Sequence, residues 1–141
     1  MTLSTLAASG TPGTLGPAEY QPGMCNIGPA EIARRRRAGH TGLIAAIVLF
    51  GALMAIGAPD WTRFFVAIPA IGAASGYIQA RLRFCAGFGS MGVFNFGELG
   101  PTERVANEAD RARDRARAFQ IGLASFTIGI AVGLLAVAVP I

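Results

Sequence analysis

The chain has no lysine: all 12 of its Lys and Arg positions are arginine, beside a single histidine. Set against its wealth of alanine and glycine, this bias points to a GC-rich, bacterial genome. Charge of either sign is scarce. Only 14% of residues are charged and 52% are hydrophobic, whereas roughly 25% charged is usual for soluble domains. That balance excludes an ordinary soluble domain. The two cysteines, Cys25 and Cys85, make neither a C-x-x-C pair nor a disulfide framework. One histidine, with no acidic residue tied to it by spacing, leaves no Ser/His/Asp constellation to assemble, so the chain reads as a non-enzyme. The first residues lack a basic stretch followed by an apolar core, which argues against a secretory signal.

What the chain does have is apolar residues in blocks. Residues 41–59, 64–80 and 119–141 form three such runs, near the roughly 20 residues a helix needs to cross a hydrocarbon core about 30 Å thick. None shows a polar face at helical period, as a surface helix of a soluble protein would. None contains Asp, Glu, Lys, Arg or His, which argues against proton relays and ion pathways. The net charge of +4 hints at nucleic acid until it is mapped. Eleven arginines flank the runs on one side, and Arg63 alone lies on the other. This is the positive-inside pattern of a membrane protein, which makes lipid rather than nucleic acid the partner.

The expected fold is therefore an all-α integral membrane protein with three transmembrane helices, its N-terminus cytoplasmic and its C-terminus outside the cell (inner) membrane. Residues 1–24, rich in Gly, Pro, Ser and Thr, read as a flexible arm. Residues 25–40 read as a cytoplasmic juxtamembrane helix with Pro29 near its start and Gly39 as its stop. Residues 41–141 form the membrane domain, with a cytoplasmic loop over 81–118. Within that loop the segment from Pro101 onward has strong helix formers and the pairs Glu108–Arg111 and Asp114–Arg117, and it runs into the third span as one long helix. Arg63 and Arg81 are expected to snorkel to opposite interfaces.

Small residues at helical spacing mark packing faces: Gly51 and Ala55 in the first span, Gly72, Gly76 and Ala80 in the second, and Ser125, Gly129 and Gly133 in the third. In lipid, close backbone approach through such residues brings helices together. Three spans cannot use all of these faces on each other, which leaves surface for another subunit. Arg34, Arg35, Arg36 and Arg37, with Trp61, are the candidate lipid or partner contacts at the interfaces.

One motif needs separate weighing. Gly87, Gly89 and Gly92 spell G-x-G-x-x-G, the spacing of a dinucleotide-binding turn. That turn belongs between a strand and a helix, and no strand pattern precedes it here. The segment reads instead as a compact interfacial turn, with Phe84, Phe88, Phe94 and Phe96 as anchors to lipid or a partner. Cys25, His40 and Cys85 fall on the same side of the membrane. They suggest a low-coordinate metal or thiol site that Glu31 or Glu98 would have to complete. A disulfide between the cysteines is disfavoured in the cytosol, and a lone His40 also allows a haem or chlorin ligand. The cysteines can equally be small buried hydrophobes.

The function expected from all this is a non-catalytic accessory or structural subunit of a larger membrane protein complex. The alternatives are a small metal- or thiol-dependent redox or sensor protein and a homo-oligomeric pore.

Overall fold

The computed structural model describes residues 19–141. Most of the arm expected over 1–24 therefore lies outside the described residues. The remainder is mostly helical: α1 (Pro29–Ala55), a 3-10 helix (Asp60–Val66), α2 (Ala67–Leu82), the short α3 (Ala86–Met91) and α4 (Glu108–Ala138). Two antiparallel two-residue strands, β1 (Val93–Phe94) and β2 (Glu103–Arg104), pair between α3 and α4. Both α1, with 27 residues, and α4, with 31, are long and apolar enough to cross a membrane. At 16 residues α2 is shorter, about 24 Å of helix, and the 3-10 helix extends it.

The juxtamembrane helix and the first run are one element. Pro29 opens α1 and Glu31 sits in its first turn, but Gly39 does not stop it. A Cβ on Gly39 would lie 2.8 Å from the Tyr77 ring. The missing side chain is therefore a packing surface, and the helix runs through. The opposite correction applies before α4. The helix expected from Pro101 starts at Glu108, because Asn107 caps it by accepting the Ala109 N–H at 2.8 Å. Glu103 and Arg104 pair with β1 instead.

α2 is the central element and packs antiparallel on both long helices. Backbones meet where side chains are absent. A Cβ on Gly76 would fall 2.7 Å from the Arg35 carbonyl of α1, and one on Gly42 would fall 2.6 Å from the Ala73 nitrogen. On the other flank, Cβ atoms on Gly129 and Gly133 of α4 would fall 2.8 Å from the Ile71 nitrogen and the Ala67 side chain, respectively. Ser125 is buried and spends its hydroxyl on the Ile121 carbonyl, and Ala80 is buried as well. Gly51 and Gly72, by contrast, have nothing within 4 Å of where a Cβ would stand, and Ala55 is exposed. The close approach of α1 therefore uses Gly39 and Gly42 rather than Gly51 and Ala55.

Arg63 does not snorkel outward. It is fully buried, donating to the Val139 carbonyl at 2.8 Å and to Asp60 Oδ1 at 2.7 Å. A cation there satisfies a free carbonyl at the C-terminal end of α4, where the helix dipole is negative. Exposed apolar side chains such as Ile44, Ile47, Val48, Ile68, Phe126 and Leu135 belt the bundle.

Gly76→Val is expected to destabilise the bundle by about 1–3 kcal/mol, the usual cost of overpacking. Gly72→Ala is expected to be neutral or to stabilise by up to ~1 kcal/mol. Thermal unfolding in detergent measures both, and equal effects would contradict the packing described.

Candidate functional site

Polar residues gather at the end of the bundle opposite Arg63, where α3 and the strand pair close over α2 and α4. The chain reverses there through Arg83, the sole non-glycine among the described residues with positive φ (54°), which ends α2 in a left-handed conformation. Gln79, buried in the last turns of α2, accepts the Ala86 N–H at 2.9 Å and so holds the start of α3. Fully buried Asn26 reaches across from the N-terminal side. Its Oδ1 accepts the Cys85 N–H at 2.6 Å, and its Nδ2 donates to the Cys85 carbonyl at 3.1 Å. Its backbone bonds to the Arg83 carbonyl and accepts the Asn95 N–H. Asn95 in turn folds the following turn, accepting from the Gly97 N–H and donating to the Glu98 carbonyl.

Asp114 organises the other flank. The sequence spacing pairs it with Arg117, yet it is fully buried. Its carboxylate accepts the Tyr20 hydroxyl at 2.7 Å and the Gly23 N–H at 2.7 Å. Arg117 reaches Gln120 instead. Tyr20 stacks on Phe94 with ring centroids 4.8 Å apart, so residues 20–23 lie latched on α4. Burial and the adjacent Asp114 carboxylate push the Tyr20 phenol above its ordinary value of 10.0. The Glu108–Arg111 pair does form, at 3.7 Å, and Arg111 also donates to the Val105 carbonyl.

The glycine motif resolves into helix and turn. α3 occupies most of it. Gly89 lets the Phe84 ring and the Asp114 carbonyl approach, with a Cβ there only 2.7 and 3.0 Å away from them. Gly92 ends α3 at φ 69°. Phe84 is not an outward anchor. It is wholly buried with Ala118 and Ile121. Phe94 and Phe96 pack on each other with centroids 6.0 Å apart, and Phe88 is half-buried. Trp61 alone among the expected aromatic anchors is exposed, edge-on to Phe65.

Cys25, His40 and Cys85 are not brought together. No group of three or more His, Cys, Asp or Glu side chains among the described residues is placed to hold a metal ion. His40 Nδ1 shares a 2.6 Å hydrogen bond with the Tyr77 hydroxyl. Cys25 is free and partly buried, its thiol 3.9 Å from the Ile27 carbonyl, and burial pushes that thiol up. Cys85 is free and buried. Its sulfur accepts from the Phe88 N–H at the start of α3 and from Arg35 Nη2 at 2.8 Å. Of the four consecutive arginines, Arg34, Arg36 and Arg37 are exposed and Arg35 turns inward. Buried Glu31 lies 3.8 Å from Arg35 and has one carboxylate oxygen without a hydrogen bond.

Asn26, Asn95 and Gln79 carry no signal in the sequence, where Asp114 shows only its spacing to Arg117.

Because the folded chain holds the Tyr20 proton more tightly than the unfolded one, the latch contributes fully below pH about 10 and weakens as pH rises beyond it. In a Tyr77→Phe background, Tyr20 is expected to ionise above the range of free tyrosine, followed by phenolate absorbance. Asp114→Asn should bring that ionisation down. Asp114→Ala leaves a hydroxyl and an amide without their charged acceptor and is expected to cost about 2–3 kcal/mol, read by thermal unfolding. Compared with known proteins, the chain matches no family model, and no curated protein or solved structure is significantly similar to it.

Proposed function

We propose that this chain is a three-span membrane protein with its polar cap and N-terminus on the cytoplasmic side, serving as a non-catalytic subunit of a larger membrane assembly. The observation that carries the reading is the pair of outward glycines, Gly51 and Gly72, open within a belt of exposed apolar side chains. Internal packing leaves them unused, and in lipid such positions permit a neighbouring helix to approach closely. Membrane placement is supported by the lengths and hydropathy of α1 and α4. The arginine distribution supports the orientation, since the cap carries eleven of the twelve. The polar residues of the cap are spent on holding its own backbone, which suits a docking platform better than a reaction centre.

Purification in mild detergent is expected to retain a second protein at fixed stoichiometry, and a clean, stable monomer overturns the subunit reading. Orientation has its own check. Trp61→Cys should react with a membrane-impermeant maleimide in intact cells, and Ala112→Cys only after lysis. The reverse pattern inverts the topology.

A second reading, a thiol-dependent sensor, rests on the Arg35 guanidinium held 2.8 Å from the Cys85 sulfur. Titration of the native protein with a thiol reagent decides it. Two inert thiols end that reading.

A further inference from the structure

Apolar side chains of α1 and α4 flank α2 and leave a groove of two adjoining sections over it. Its floor is Ala70, Ala73 and Ala74, with Tyr77 one turn further along α2. Leu43, Ala46 and Val132 line both of its sections, which have volumes of about 320 and 230 Å³. Phe50, Val66 and Val139 line the other section, toward the Arg63 end. Apart from Tyr77 its lining side chains are all apolar. The alanines make it deep, since larger side chains at those positions would fill it.

The Tyr77 end is different. There Tyr77 shares its hydroxyl with His40. The i, i+4, i+7 spacing sets Arg36 and His40 on the same face of α1 as Leu43, Ile47 and Phe50. Arg36 is exposed, and Arg37 beside it is too. An apolar slot with cationic and hydrogen-bonding groups at its mouth complements a molecule that has a hydrocarbon tail and an anionic head.

We infer that this groove is a binding site for one acyl chain of an anionic phospholipid, whose phosphate is met by Arg36 and His40. The inference rests on the membrane reading above. From Tyr77 to Val66 the groove runs about 16 Å along α2 at 1.5 Å per residue, a little over half of a hydrocarbon core about 30 Å thick.

The test uses the full chain, purified and delipidated in detergent, and native mass spectrometry with dioleoyl phosphatidylglycerol and dioleoyl phosphatidylcholine as probes. The native protein is expected to retain the glycerol lipid preferentially. Ala74→Leu and Val132→Phe, each filling the groove from a different wall, are expected to weaken retention of both lipids at least tenfold while circular dichroism shows helicity unchanged. Arg36→Gln is expected to lower phosphatidylglycerol retention about fivefold, as for the loss of one arginine near an anionic headgroup, and to leave phosphatidylcholine as it was. Equal retention of the two lipids by the native chain overturns the proposal, as does unchanged retention in the two groove variants. Carbonate washing of membranes keeps the failures apart. A chain that washes off refutes the membrane reading, whereas one that stays embedded without these lipid effects refutes only the site.

Discussion

The polar end of this molecule depends on one buried side chain, Asn26. Its carboxamide closes on both the N–H and the carbonyl of Cys85, and its own backbone bridges Arg83 to Asn95. An amide can donate and accept at once, so with its backbone a single residue satisfies groups on two separate stretches of chain, 83–85 and Asn95. Irregular backbone between membrane-length helices has no water on its protein side, and unpaired groups there are costly. Asn26, Gln79 and Asn95 meet that demand in sequence, each supplying a side-chain amide where the chain turns. The left-handed Arg83 is held in place by the same bonds. The cap's side-chain amides are thus spent on its own backbone, while buried Glu31 keeps one carboxylate oxygen without a hydrogen bond.

The bundle beneath obeys the complementary rule. Where helices cross, the residues are glycine and alanine, and the large apolar side chains point away. A water-soluble three-helix protein would do the reverse, because burial of large apolar groups is what drives its folding. Here α2 is thin and alanine-rich, which lets α1 and α4 lie close to it without meeting fully. The groove between them is a direct result of that geometry. At the opposite end Arg63 closes the structure with a buried cation on the Val139 carbonyl, just past α4.

The helical class, the long helices and the charge asymmetry were legible because they depend on composition and run length. Gly76, Gly129 and Gly133 were legible because small residues at four-residue spacing have a clear meaning in lipid. Gly39 was misread, since a glycine that stops a helix and one that admits a tyrosine ring look alike until the ring's position is known. Asp114 was misread for the same reason. Its partners lie on the far side of the chain, and only its local arginines are visible in sequence. The phenylalanines of the glycine-rich segment were expected outside because a turn was expected there. Once α3 forms, Phe84 is carried beneath it. Local pattern identified the elements, and what it could not supply were contacts between residues far apart along the chain.

That distance has a temporal side. The Tyr20–Asp114 bond joins residues 94 apart. At roughly 5–20 residues per second of synthesis, the N-terminal segment leaves the ribosome several seconds before its acceptor exists. During that interval α1 and α2 are made without the element that completes the cap, and Tyr20 and Gly23 must be left to solvent or to a temporary companion. Closure of the latch can therefore come only after the last helix has begun to form.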